Sequence, residues 1–211
     1  MACAICRTRR PRRFCPGVRG DICAVCCGTE REVTVDCPLD CEYLLESRKH
    51  DRTVPFDAEQ LPNRDISLPE EFLDENEILM RAVAFGLRRA VFEIPGVVDS
   101  DMREAIEALV RTYRTLQSGV YYESRPDNQL AADIFTSVQD AIARFRSEEQ
   151  QRSGMTRTRD ADVLRALVFF QRLELDRNNG RRHGRAFIDV LRQFQPDEAD
   201  SAPPPSSLIL P

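Results

Sequence analysis

Eight cysteines stand between positions 3 and 41, and none follows. They are spaced Cys3-x2-Cys6-x8-Cys15-x7-Cys23-x2-Cys26-Cys27-x9-Cys37-x3-Cys41. Two cysteines three or four residues apart present both sulfurs from one tight turn. Zinc closes a tetrahedron with four such ligands at ~2.3 Å. Eight thiols make two sets, so two zinc ions are expected. Cys26 and Cys27 are neighbours whose side chains project differently, which assigns them to different ions. One allocation gives Cys3, Cys6, Cys23 and Cys26 to the first ion and Cys15, Cys27, Cys37 and Cys41 to the second. A single zinc with spare thiols is the alternative that spacing leaves open. An iron–sulfur cluster would call for a C-x-x-C-x-x-C run, of which Cys37-Pro38 is the one echo. Disulfides belong to exported chains, and the stretch from Met1 to Arg7 has no apolar run of signal-peptide length.

The same residues explain why metal is needed. Residues 1–46 hold few large apolar side chains, among them Ile5, Phe14, Val18, Ile22, Leu39 and Leu44. A segment of about 40 residues seldom buries enough surface to fold unaided. Structural zinc contributes on the order of 10–16 kcal/mol, which would dominate that balance. A catalytic zinc keeps one position open for water, whereas a four-thiolate set is closed. The chain also lacks H-E-x-x-H, G-x-S-x-G, P-loop and G-x-G-x-x-G patterns. No enzyme and no small-molecule substrate are expected. His50 finds no vacancy in the ligand sets and reads as a linker residue.

Arg7, Arg9, Arg10, Arg12 and Arg13 fall within seven residues beside the first cysteine pair. They read either as phosphate contacts on RNA or DNA, or as a solvated loop whose cations offset thiolate charge. Residues 1–50 carry nine basic side chains against seven acidic ones, and the remainder 21 against 28. An acidic body is not built to coat nucleic acid, so any such contact is local to the N-terminal part. A second basic run, Arg181 to Arg185, reads as a solvent-facing loop. Tyr121 and Tyr122 read as packing beside Gly119.

The elements that must carry these residues divide the chain into four zones. Residues 1–46 form the cysteine module, 47–73 a proline-punctuated linker, 74–195 a helical zone and 196–211 a proline-rich tail. Asp74 with Glu77 has capping-box spacing. Leu79, Val83, Leu87 and Ala90 then recur at helical period until Pro95-Gly96. A second helix opens at Asp99-Ser100-Asp101 and carries Met102, Ile106, Leu109, Tyr113 and Leu116. A third follows Pro126-Asp127 through Phe145, and Ser147 to Arg159 reads as a loop. A fourth runs from about Asp160 to Asn178, and a short fifth carries Phe187, Leu191 and Phe194. Such apolar stripes with short connections predict a mainly α chain: a small two-zinc module followed by an antiparallel bundle of four or five helices.

Cys3-Ala4-Ile5-Cys6, then Arg13-Phe14-Cys15-Pro16 and the paired cysteines, resembles the start of HIT-type and related cross-brace zinc fingers over about 45 residues. The late histidine ligand of that pattern is missing, because Cys37 and Cys41 end the motif. Cys23 to Glu32, Asp36 to Leu44 and Thr112 to Gly119 together resemble a bacterial family of cysteine-headed proteins. That resemblance implies zinc and a bacterial cytoplasm, and no reaction. The leading expectation is a non-enzymatic adaptor whose zinc module meets a protein partner and whose bundle dimerises or docks. RNA or DNA binding through Arg7 to Arg13, and a zinc–thiolate redox sensor, are the alternatives. No membrane span is expected, and Ser207 to Leu210 could dock in cis or in trans.

Overall fold

The computed structural model describes residues 2–50, 61–119 and 122–193. Phe194, Tyr121 and the tail from 196 to 211 lie outside them. The chain is mainly helical, with its cysteines gathered at the N-terminal end. Strands β1 (Arg13–Cys15) and β2 (Gly20–Ile22) pair antiparallel, with Cys15 opposite Gly20. Helices α1 (Ala24–Glu30) and α2 (Glu42–Arg48) complete the headpiece. The helical body comprises α3 (Glu70–Glu75), α4 (Glu77–Glu93), α5 (Asp99–Gln117), α6 (Gln129–Ser153), α7 (Asp160–Arg177) and α8 (Ala186–Gln193). No helix among the described residues is long and apolar enough to cross a membrane.

The apolar stripes become one core. Leu79, Val83 and Leu87 of α4 meet Ile106 and Leu109 of α5, Ile134 and Val138 of α6, and Leu167 of α7. The dominant packing pairs are α4 with α6 and α5 with α7, not consecutive helices. The Pro95-Gly96 turn, with Gly96 at φ 87°, sends α5 away from α4 and leaves room for α6. Gly86 makes that approach close. A Cβ there would stand 2.8 Å from Val138 Cα, and Ser137 Oγ donates to the Gly86 carbonyl at 2.9 Å.

Two local readings change. Ser147 to Ser153 is the last part of α6, which ends at Gly154 in the left-handed region at φ 77°. The segment Glu148-Glu149-Gln150-Gln151-Arg152 is polar but made of strong helix formers, so polarity alone misreads it. Tyr122 is exposed and does not pack. Within the 47–73 stretch, Ile66 and Leu68 lie against the core, and Arg172 donates to the carbonyls of Asn63 and Ile66.

One buried carboxylate positions the end of the body. Asp99 accepts the backbone N–H groups of Ala186, Phe187 and Ile188 at 2.8–3.1 Å and so caps α8 from a distant helix. The Asp99 N–H in turn donates to the Gly184 carbonyl. The 179–185 loop is thereby fixed against α5. Thermal denaturation tests the α4–α6 approach: Gly86→Ala should cost about 1–3 kcal/mol by overpacking. Gly28→Ala, where an added methyl meets nothing within 4 Å, should be neutral or slightly stabilising.

Candidate metal centre

The headpiece folds by short local devices, each of which ends on a sulfur. The Cys3 carbonyl accepts the Arg7 N–H at 2.8 Å, closing a turn that carries Cys3 and Cys6, with Arg7 at φ 55°. The hairpin then reverses the chain, and the Ala4 N–H donates to the Asp21 carbonyl at 2.9 Å. Cys23 is the N-cap of α1, where its Sγ accepts the Cys26 N–H at 3.4 Å. The first turn of α1 thus presents Cys23 and Cys26 to the Cys3–Cys6 turn. The four ligand sulfurs of Cys3, Cys6, Cys23 and Cys26 all lie within 4.8 Å of one another.

That set fits a tetrahedral thiolate metal. Metal–sulfur bonds of ~2.3 Å place sulfurs ~3.8 Å apart at the corners of a tetrahedron. All eight cysteines are free thiols. The Cys3 Sγ also accepts the Cys23 N–H at 3.2 Å, the kind of bond that favours a thiolate. The Thr8 hydroxyl and the Arg9 and Thr8 N–H groups pull the Cys6 thiol down to about 5. Burial and the three neighbouring thiols push Cys26 up to about 12. The local donors thus favour the thiolate at Cys6, whereas burial opposes it at Cys26.

The arginine run divides by role. The thiols of Cys23, Cys6 and Cys26 raise the Arg9 pKa, with Cys23 the largest influence. Arg13 lies 3.9 Å over the Tyr43 ring and donates to Cys27 Sγ at 3.7 Å. Arg31 donates to the same sulfur at 3.8 Å. Arg7, Arg10 and Arg12 are exposed.

Cys15, Cys27, Cys37 and Cys41 are not drawn together as the first four are. Burial pushes the Cys37 thiol up, and the charges of Cys15, Cys41 and Glu32 add to that. Gly17 lets the hairpin turn pack on Val35 and Asp36, where a Cβ would stand 2.6 Å from the Asp36 carbonyl oxygen. That approach sets Cys15 beside the Cys37 segment, while Cys27 is held by its two arginines. His50 is exposed and lies 3.4 Å from Glu46, away from the sulfurs.

Sequence reasoning missed the joint between headpiece and helices. Glu32, fully buried and at φ 54°, accepts from Arg48 Nη2 at 3.0 Å, the Arg185 N–H at 3.1 Å and Asn179 Nδ2 at 2.8 Å. Its carbonyl accepts the His183 N–H at 2.8 Å. Arg185, read as part of a solvent-facing loop, is buried. It donates to the Val97 and Cys37 carbonyls and pairs with Asp36. A charge run gives no sign of burial when its carboxylate partner lies about 150 residues away in sequence.

No family model, curated protein or solved structure matches the chain. The likeness to cross-brace fingers rests on the cysteine residues quoted above.

Glu32→Ala leaves Arg48 with Asp189 as its one carboxylate partner and removes the acceptors of Asn179 and the Arg185 N–H. It should destabilise the chain by about 3–5 kcal/mol in urea unfolding, the cost of breaking a buried pair from one side. A loss under about 0.5 kcal/mol would show the joint to be inconsequential. Lowering pH from 7 to 5 should also weaken metal retention in a chelator competition, because thiolate ligands must be deprotonated to bind and protons compete with the metal for sulfur.

Proposed function

We propose that Cys3, Cys6, Cys23 and Cys26 hold a structural zinc ion and that the chain is a non-enzymatic protein-interaction module. The observation that carries this is the closed set of four clustered sulfurs, which leaves a bound ion no position for substrate or water. The donor set is all thiolate, which suits zinc over hard cations. Arg9 supplies positive charge to a site that would be doubly negative when filled. A second zinc on Cys15, Cys37 and Cys41, with Cys27 as fourth ligand, is the finer part of the reading. There Arg13 and Arg31 would offset the negative charge of the Cys27 thiolate.

The interaction reading draws on the headpiece surface. Phe14 is 61% exposed on β1, and Val25, Val33 and Leu45 are exposed on the same small module. A metal-rigidified module that shows apolar side chains to solvent is suited to a protein partner. Nucleic acid is the second reading, favoured by exposed Phe14 close in sequence to exposed Arg10 and Arg12. One of its five arginines, Arg13, is engaged with Cys27 and Tyr43.

Two experiments test this. Chelator added to the full chain should collapse the amide signals of residues 2–48 in a 1H–15N spectrum while those of α4 to α7 persist. An unchanged spectrum would remove the structural role of metal. Affinity purification from the native cell should lose its co-purifying protein on Phe14→Ser/Val25→Ser. Binding of a random RNA 20-mer pool that falls steeply with salt, and is lost in Arg7→Ala/Arg10→Ala/Arg12→Ala, would select the nucleic-acid reading instead.

A further inference from the structure

Ile78, Phe85 and Phe92 of α4 stand seven residues apart and are 63%, 38% and 58% exposed. A seven-residue step drifts only ~20° around a helix. The three therefore form one outer stripe, on the side of α4 away from Leu79, Val83, Gly86, Leu87 and Ala90. Neighbouring steps along it are ~10 Å.

Cations frame the Phe85–Phe92 end of this stripe, whereas Ile78 lines a separate depression with Glu75, Glu148, Glu149 and Arg152. The guanidinium groups of Arg88 and Arg192 lie 5.1 and 5.9 Å from the Phe92 ring centroid. Arg144 of α6 lines the same depression as Phe85, Arg88, Arg89 and Phe92. Arg89 is paired with Glu93 at 2.8 Å. Arg88 Nε is buried and has no hydrogen-bond partner. A second depression starts at Phe92 and continues along Pro38, Leu39 and Ile188 toward the cysteine module. This basic, aromatic strip lies on a helical body whose residues beyond 50 carry a net negative charge.

We propose that the outer face of α4 docks an acidic amphipathic helix of a partner protein. Apolar side chains at every seventh position of that helix would lie on Ile78, Phe85 and Phe92, and its flanking carboxylates would meet Arg88, Arg144 and Arg192. Charge selects an acidic occupant at the Phe85–Phe92 end, where Arg88, Arg144 and Arg192 converge and the one carboxylate, Glu93, is already paired with Arg89. The ~10 Å pitch follows a helix repeat and is too long for successive stacked bases. The proposal shares the protein-interaction reading but uses a different surface, so each can fail without the other.

The probe is a fluorescein-labelled 21-residue helical peptide with Leu at the first and fourth positions of each heptad and Glu at the flanks. Its twin carries Lys in place of Glu. By fluorescence anisotropy on the full chain in 50 mM NaCl, the Glu peptide should bind at least ~10-fold tighter than the Lys twin. Arg88→Glu/Arg144→Glu/Arg192→Glu and, separately, Phe85→Ser/Phe92→Ser should each weaken it ~10-fold or more without lowering the thermal midpoint. Phe14→Ser should leave it unchanged, which separates this face from the metal module. Equal affinity for the twins, no binding of either, or full binding to the triple variant would overturn the proposal. So would a dimer broken by Phe85→Ser/Phe92→Ser, or displacement of the probe by a peptide of residues 194–211 or by oligo-dT. Each of those results assigns the face to another occupant.

Discussion

Four sulfurs confined within 4.8 Å of one another set the terms for the headpiece. Thiolates at that separation repel, and protonated thiols there bury polarizable atoms with few partners. A cation seated among them would relieve both costs. Around it the apolar complement is slight: Ile22, Val35 and Leu44 are the buried side chains that are not cysteine. Two short strands and two seven-residue helices cannot hold such a cluster by propensity alone. A sulfur-bound metal would provide what the apolar surface does not. The N–H groups of Cys23 and Cys26 both turn toward sulfur.

The headpiece is joined to the helices by polar contacts that are themselves buried. Glu32 stands at the centre, satisfied by Arg48, Asn179 and the Arg185 N–H, while Arg185 reaches back to the Asp36–Cys37 segment. Asp99 fixes the loop that bears these donors by capping α8. Each group is worth little beyond its desolvation cost when all are present, and each is costly to orphan. Such a joint is specific in orientation: a shift of the headpiece would leave several buried charges unmatched. The metal site and the α4 face are thereby held on one frame.

The helices were legible because their apolar periods are long and uninterrupted, and the boundaries at Asp99, Asp160 and Gly119 lie where the chain chemistry places them. The Cys3, Cys6, Cys23 and Cys26 grouping was legible because paired spacing survives any fold. Three things were not. The polar end of α6 carries no apolar signal beyond Phe145, so composition hid a helix that i,i+4 pairing and a glycine cap sustain. Arg185 looked like a surface charge because burial depends on Glu32 and Asp36, far off in sequence. Arg13 read equally well as a phosphate ligand until its distance to the Cys27 sulfur was known. In each case the deciding partner is non-local, which periodicity and spacing cannot report.

Zinc K-edge X-ray absorption on untagged protein, purified without chelator, measures the central interaction directly. The account predicts bound zinc with a first shell of four sulfurs at ~2.3 Å. A protein free of transition metal, or a shell of nitrogen and oxygen ligands, would contradict it.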